Sequence, residues 1–302
     1  MTSSAGNTAM RVYFSPDYVV GGYGVDTREK SALIARSLIH DPIPGVEVHE
    51  PQPATVDQVA VVHDRNYVNA IKTGRPEHLA WKNGLGEWSP ALSRSVFSMT
   101  GGAIDSAVHS FTHKVNSGSL ASGLHHAKFD HGAGFCTFNG LVIAARRVLA
   151  LGAKVVLIVD LDAHAGGGTA QLIRGIDGIE QLDVAVSEYD MYEPRDDSRV
   201  TLSNGKDYLQ DVEDALTMVP LSAHVDLVIY NAGMDPHERC STGGAAGITT
   251  EVLRKREEMV FTWAREHGYP VSFALAGGYS GGRLSREELV DLHRMTIQAA
   301  TL

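Results

Sequence analysis

The sequence has few cysteines, few basic residues relative to acids and no long apolar run, and each shortage excludes a class of protein. Cys136 and Cys240 are the two cysteines among 302 residues, which excludes a disulfide framework and favours a cytoplasmic location. Lysine and arginine number 26 against 36 acids, and because phosphate binding requires clustered positive charge, no nucleic-acid partner is expected. Without a long apolar run, no membrane partner is expected either.

The order of apolar and turn-forming segments predicts the fold. Short β-branched runs alternate with amphipathic stretches, which is typical of an α/β protein with a mainly parallel central sheet and helices on both faces. Strands are predicted at 11–14, 46–49, 155–159, 182–186, 226–230 and 271–275, and helices at 27–39, 60–71, 90–115, 141–151, 208–218, 251–266 and 285–299. Because no linker divides the chain, residues 11–302 are predicted to be a single domain. Residues 1–10 are predicted to be a flexible tail, neither signal peptide nor membrane anchor.

One stretch combines a buried strand with polar chemistry. The apolar run at 155–159 leads into Asp160, Asp162 and His164, and glycines follow at 166–168. Side chains alternate along a strand, so these three share one face if the strand continues that far. Open α/β sheets bind ligands at the carboxyl ends of their strands, and two carboxylates with an imidazole can hold a metal. Solvated acids at the end of a strand are the alternative, and the run alone does not decide between the two.

Three further loops carry polar residues beside predicted strands or glycines. They contain His125 and His126, then Asp235 after the apolar run at 227–230, then Tyr279 among glycines. Taken singly, each has an ordinary structural explanation: hydrogen-bonded or surface histidines, a capping aspartate and a packed tyrosine.

In combination the loops are more specific. In chain order the motifs are His-His at 125–126, Gly-x-Gly-Phe-Cys at 132–136, Asp-Leu-Asp-Ala-His at 160–164, Asn-Ala-Gly-Met-Asp at 231–235 and Gly-Gly-Tyr at 277–279. In this order the sequence resembles the zinc-dependent histone deacetylase family, which includes bacterial acetylpolyamine amidohydrolases and acetoin-utilisation proteins. The resemblance extends from about residue 13 to about residue 292. The motifs Asp-Leu-Asp-Ala-His and Tyr-Asn-Ala-Gly are most similar to the small class-four branch.

The resemblance implies a fold, an activity and a cofactor. The fold is an arginase/deacetylase-like domain, and the activity is hydrolytic removal of an acetyl or longer acyl group from an acylated amine. Acyl-lysine, an acetylpolyamine and a small biosynthetic amide are the substrate classes left open. The implied metal is Zn²⁺, with Fe²⁺ as an alternative in an oxygen-rich site, held by Asp162, His164 and Asp235.

The resemblance also implies roles for other residues. His125 and His126 form the general acid/base pair, Tyr279 donates a hydrogen bond to the oxyanion, and Asp160 lies behind His125 and orients it. A structural K⁺ ion is also implied. The residues expected around it are Asp160, Asp162, His164 and Ser187. The implied walls of the substrate channel are Gly134, Phe135, Tyr192 and Glu193.

The sequence departs from the family pattern at two places. Many members have an acid three residues after the metal-binding histidine, where it backs the second catalytic histidine, but this chain has Gly167. The acid partner of His126 is therefore missing or supplied from elsewhere, and its loss predicts a less basic His126 on the lower limb of the pH-activity profile. At the second place, Tyr192 is expected to serve as the aromatic wall. Glu193 is interpreted either as a charge at the channel mouth that favours cationic substrates or, with more weight, as a solvated loop residue.

Two rival functions follow from the same residues. The run Asp-Ala-His-Ala at 162–165 also resembles part of the arginase signature. That resemblance implies a binuclear ureohydrolase only with further acids at 166 and 237, where this chain has Gly166 and His237, so a second metal is not expected. A non-catalytic module that binds acyl-lysine or a partner protein stays open because of Gly167. Oligomeric state and acyl-chain length are left open.

Overall fold

The strands form one parallel sheet. In this computed structural model the described residues are 9–21, 29–122, 124–219, 224–281 and 283–302. Within them the strands are β1 (Met10–Tyr13), β2 (Val46–His49), β3 (Ser117–Ser119), β4 (Val156–Asp160), β5 (Ile179–Ala185), β6 (Ser198–Leu202), β7 (Leu227–Asn231) and β8 (Val271–Ala274). Their order in the sheet is β2-β1-β3-β8-β7-β4-β5-β6, and all pairings are parallel. The α/β fold class expected from the sequence is confirmed.

Helices connect and cover the strands. They are α1 (Lys30–His40), α2 (Val56–Val59), α3 (Arg65–Thr73), α4 (Glu77–Ala80), α5 (Pro90–His113), α6 (Gly140–Ala150), α7 (Gly167–Ile173), α8 (Tyr208–Thr217), α9 (Thr250–His267) and α10 (Arg286–Ala299). A short 3-10 turn covers Pro16–Tyr18. The strands β4 and β7 are buried at each of their residues, as expected where helices cover both faces of a sheet. None of the described helices is both long and apolar enough to span a bilayer.

The long helix α5 explains the glycine pair in its middle. Ser89 caps its first turn, with its side chain accepting from the backbone N–H of Leu92, and Pro90 occupies the first turn, where a missing N–H costs nothing. A Cβ at Gly101 would collide with the backbone carbonyl of Gln52, and one at Gly102 would collide with the Tyr18 hydroxyl. The helix continues through both glycines, so they permit close packing and do not mark a break.

The structure differs from the predicted elements where local patterns are weak. The strands β3 and β6 were not predicted, because Ser-Gly-Ser and Ser-Arg-Val-Thr-Leu have little apolar content. The helix predicted within 60–71 is present as α3 but begins only at Arg65, and the separate helix α2 precedes it at residues 56–59. The strand β4 ends at Asp160, so Asp162 and His164 lie in the following loop and do not continue its alternation. Met10 begins β1 and therefore does not belong to the predicted tail, whose residues 1–8 lie outside the described ranges, as do residues 27 and 28 of the first predicted helix.

The topology brings five loops to one edge of the sheet. The adjacent strands β3, β8, β7, β4 and β5 all point the same way. The segments that follow them carry His125 and His126, Tyr279, Asp235, Asp162 and His164, and residues 187–192. Because the carboxyl ends of parallel neighbours meet at a single edge, these segments converge there.

Candidate active site

Three of the predicted residues form a cluster suited to a metal ion. Asp162, His164 and Asp235 each offer one ligand atom, and these atoms lie within 4.8 Å of one another. The Nδ1 atom of His164 is 3.2 Å from Oδ1 of Asp162 and 3.2 Å from Oδ2 of Asp235. Burial opposes protonation of His164, but the two carboxylates outweigh it and raise its pKa to about 11. The two carboxylates therefore attract positive charge to the point where they meet the imidazole.

Backbone groups hold the two carboxylates in place. The N–H of Gly277 donates to Oδ2 of Asp162 at 2.8 Å, and the N–H of Ala163 donates to Oδ1 of Asp235 at 3.0 Å. The Oδ2 atom of Asp235 is buried and accepts no hydrogen bond from the described residues. A buried carboxylate oxygen without a donor is costly unless a cation satisfies it, so the donor set fits a divalent metal. A Cβ at Gly277 would collide with both carboxylates, which explains a glycine at that position.

His125 is paired with a strand residue. Its Nδ1 atom lies 2.8 Å from Oδ2 of Asp160, whose other oxygen accepts a 2.8 Å hydrogen bond from the side-chain amide of Asn231. Both members of the pair are buried. Burial lowers the pKa of His125, but the charges of Asp160 and Asp162 outweigh this and raise it to about 10. The structure brings together His125 and Asp160 as the sequence predicted, and their catalytic roles stay predictions.

His126 has an acid partner that the sequence analysis did not identify. Its Nδ1 atom lies 2.8 Å from Oδ2 of Asp190, and the other oxygen of Asp190 is 2.6 Å from the Lys128 ammonium. The alternative of a missing partner at Gly167 is thus wrong, and the acid comes from elsewhere. The pKa of His126 is nevertheless lowered to about 4, by burial first and then by the neighbouring charge of His125, while Asp190 opposes the shift. His126 is therefore less basic because of burial and the charge of His125, and not because it lacks an acid partner.

Tyr279 is fixed beside the cluster by a cysteine. Its backbone N–H donates to Sγ of Cys240 at 3.1 Å, and the Cys240 thiol donates to its carbonyl at 3.2 Å. Burial raises the pKa of Tyr279 well above its usual value, and Asp235 and Asp162 add to the shift. The phenol therefore keeps its proton and stays a hydrogen-bond donor at neutral pH. Cys240 was not predicted to matter, since a lone cysteine distant in sequence carries no local signal.

A channel of about 400 Å³ leads to these residues. It is lined by Gly84, His126, Gly134, Phe135, His164, Ser187, Tyr189, Thr242 and Tyr279. A much smaller cavity, lined partly by His125, Asp162 and Gly277, shares His126, Gly134, His164 and Tyr279 with it. The predicted channel residues Gly134 and Phe135 are therefore in the wall. The ring centroids of Phe135 and Tyr279 are 6.3 Å apart.

The other wall of the channel differs from the prediction. Tyr192 is not among the lining residues, and its hydroxyl donates to the carbonyl of Arg199 at 2.9 Å. Glu193 is exposed and also lies outside the lining. Tyr189 takes the place expected for Tyr192, with its ring edge-on to His126 at 5.0 Å. The resemblance placed the aromatic residue three positions too far along the chain, because the loop after β5 is irregular and its motif does not fix which side chain faces the channel.

The predicted K⁺ residues lie near one another. Ser187 is bridged to His164 in a parallel β-bridge, and Asp160 is buried at the end of β4, two residues before Asp162. The Oδ1 atom of Asp160 also accepts from the backbone N–H of Asp162 at 3.2 Å. Their role in binding a monovalent cation stays a prediction.

Comparison with known proteins identifies the family. Residues 24–201, more than half of the chain, match the family model of the histone deacetylase domain. The chain therefore belongs to the histone deacetylase family, and the family predicted from its motifs is confirmed. Family membership supports a deacetylase activity.

Individual relatives agree with this assignment. An uncharacterised protein of Picosynechococcus sp. is 31% identical over 304 residues, which cover 96% of this chain and 97% of that protein. Histone deacetylase 2 of Arabidopsis thaliana is 26% identical, covering 94% of this chain and 78% of the relative. Acetoin utilization protein AcuC of Staphylococcus aureus is 34% identical over 132 residues, 41% of this chain and 34% of the relative. The solved HDA15 HD domain matches the fold with a TM-score of 0.80 at 21% identity, covering 97% of this chain and 88% of that one.

Proposed function

We propose that the protein is a zinc-dependent amidohydrolase that removes an acyl group from an acylated primary amine. The observation that carries the proposal is the cluster of Asp162, His164 and Asp235, placed at the foot of a channel beside two histidines and a tyrosine. The single domain at residues 11–302 contains all of these groups. Fe²⁺ is an alternative ion for such an oxygen-rich set of ligands.

The chain's own groups supply the proton transfers. A divalent ion held at the cluster would act as a Lewis acid on the amide carbonyl and lower the pKa of a water molecule. His126 directs Nδ1–H toward Asp190, so its Nε2 atom carries the lone pair of a general base. His125, protonated between Asp160 and Asp162, supplies positive charge beside it. The hydroxyl of Tyr279 donates a hydrogen bond to the oxygen that gains negative charge. The proton that Nε2 of His126 takes from the water passes to the leaving amine.

The channel supports a linear, apolar substrate stem. Phe135 and Tyr189 belong to its aromatic lining, and no charged carboxylate of the described residues is among its lining residues. Such a wall accommodates the methylene chain of acyl-lysine or of an acetylpolyamine and excludes water from the amide. A K⁺ ion near Asp160 and Ser187 completes the proposal, together with a cytoplasmic location, which is in keeping with two buried cysteines that form no disulfide with each other.

An amide-hydrolysis panel tests the proposal. The zinc-loaded protein is offered an acetyl-lysine peptide, a long-chain acyl-lysine peptide and acetylated polyamines, with Tyr279→Phe and a hydroxamate inhibitor as controls. Turnover that both controls reduce by about 10²-fold or more supports the hydrolase and identifies its substrate class. Zinc binding without turnover of any substrate contradicts it and supports the acyl-binding module instead.

A further inference from the structure

The acid partner of His126 belongs to a different element from the one that carries it elsewhere in the family pattern. Asp190 lies in the loop after β5, and its Oδ2 atom accepts from Nδ1 of His126 at 2.8 Å and from the N–H of Gly168 at 3.2 Å. Its Oδ1 atom accepts from the Lys128 ammonium at 2.6 Å. Three donors from two segments thus hold one carboxylate against the ring.

A side chain at position 167 would occupy the same space as Asp190. A Cβ built on Gly167 would lie less than 3.0 Å from the backbone carbonyl, Oδ1 and Cγ of Asp190. The backbone carbonyl and the carboxylate of Asp190 therefore both fill the volume into which a side chain at 167 would project. An acid at 167 and an acid at 190 cannot both be accommodated without moving the backbone of one loop.

The backbone dihedral angles show which of the two positions has an unusual conformation for its residue type. Asp190 has φ of 60°, in the left-handed region that favours glycine. Gly167 is the first residue of α7 and has no positive φ, so its backbone would accept any L-residue. The sequence thus has glycine where none is required by φ and aspartate where glycine is preferred. Backbone strain at a non-glycine residue persists only where surrounding contacts hold it, and here these are the contacts with His126 and Lys128.

We propose that Asp190 is the positioning residue of His126 and takes the role of the acid that is absent at position 167. The glycine at 167 leaves the space that Asp190 occupies. This inference rests on the proposed hydrolase function, because it assigns the base of that reaction its tautomer. Asp190 fixes the proton on Nδ1 and the plane of the imidazole, so that Nε2 is directed toward the cluster. Tyr189, adjacent in the chain, lies edge-on to the same ring, so one loop supplies both the channel wall and the acid.

An exchange of the two residues tests the inference. Asp190→Gly removes the acid and gives residue 190 the backbone freedom to turn its carbonyl away from residue 167. Gly167→Asp forces a side chain against both the carbonyl and the carboxylate of Asp190, and the double variant moves the acid back to 167. We expect kcat to fall about 10–100-fold in each single variant and to recover to within about tenfold of wild type in the double variant. Asp196→Asn, an exposed acid in the same loop, is the control and should leave kcat unchanged. A kcat of Asp190→Gly equal to that of wild type would overturn the proposal.

A second measurement does not depend on turnover. In the zinc-loaded protein labelled with ¹⁵N-histidine, the Nδ1 proton of His126 should give a far-downfield resonance, identified by its loss in His126→Gln. The resonance should disappear in Asp190→Gly and return in the double variant. Its persistence in Asp190→Gly would overturn the proposal. If the wild type hydrolyses no substrate yet shows this pattern, the hydrolase function fails while the positioning of His126 by Asp190 stands.

Discussion

The two neighbouring histidines obtain their acids from structurally different regions. Asp160 ends a central strand, is completely buried, and accepts from the side-chain amide of Asn231 on the adjacent strand. Asp190 lies in a loop, its side chain is 16% exposed, and it is held by the flexible side chain of Lys128. The first pair is built into the register of the sheet, whereas the second depends on the conformation of one loop. The two acids of this site are therefore held in different ways, one by the sheet and the other by a loop.

The largest difference should appear when each acid is removed. Asp160→Ala leaves the His125 ring and the Asn231 amide buried without their acceptor, so we expect the free energy of unfolding to fall by about 3–5 kcal/mol. Asp190→Ala should cost less, because Lys128 and the loop can turn to solvent. Urea denaturation of the two variants and of Asp196→Ala checks the order. Equal losses for Asp160→Ala and Asp190→Ala would contradict the comparison.

The two pairs should also respond to pH in opposite directions. Since the pKa of His126 is lowered to about 4, its contribution to stability is lost as pH falls from about 6.5 toward 4. Since the pKa of His125 is raised to about 10, its contribution is lost as pH rises from about 6.5 through 10. The shift of His126 corresponds to roughly 3 kcal/mol and that of His125 to roughly 5 kcal/mol.

Denaturation of the metal-free protein across pH separates the two contributions. His126→Gln should flatten the slope between about pH 4 and 6.5, and His125→Gln the slope between about pH 6.5 and 10. The difference from wild type isolates each histidine from other buried ones such as His63, whose pKa burial also lowers to about 4. A variant whose slopes match those of wild type in its own pH range would refute the assignment for that histidine.

A smaller effect is expected from the residue that holds Asp190. Lys128→Gln removes the ammonium but leaves Asp190 its hydrogen bonds to His126 and the N–H of Gly168. We expect kcat to fall by less than the about 10–100-fold loss predicted for Asp190→Gly, since the histidine keeps its partner. Steady-state kinetics of Lys128→Gln and of the exposed-site control Lys154→Gln measure it. A loss as large as that of Asp190→Gly would contradict this and would mean that Asp190 keeps its place only through its ion pair with Lys128.

The smallest effect is expected at Glu193. Its side chain is exposed and outside the channel lining, so water and salt screen its charge from a substrate in the channel. Glu193→Gln should change the ratio of kcat/KM for acetylpolyamine over acetyl-lysine peptide by less than about twofold. A larger change at low salt that vanishes at high salt would restore the interpretation of Glu193 as a charge at the mouth.

Strand and helix patterns made much of the architecture predictable. The run that becomes β4 and those that become β7 and β8 are continuous and apolar, because strands covered on both faces exclude polar side chains. The short polar strands β3 and β6 were missed, since their backbone pairing is imposed by neighbours and not by their own side chains. The misplaced channel wall at Tyr192 has a related cause, because an irregular loop has no fixed period from which to infer orientation.

The sequence by itself determined the family, the α/β class and the group of polar residues, Asp162, His164, Asp235, His125, His126 and Tyr279, that the structure brings together. These follow local rules: apolar periodicity sets the strands, and motif order sets which strand end carries which side chain. Only the tertiary structure decided that Asp190 backs His126, that Tyr189 lines the channel and that Cys240 binds the backbone of Tyr279. Those contacts join residues 39 to 64 positions apart through loops, and no local pattern encodes a contact whose geometry depends on how two loops pack.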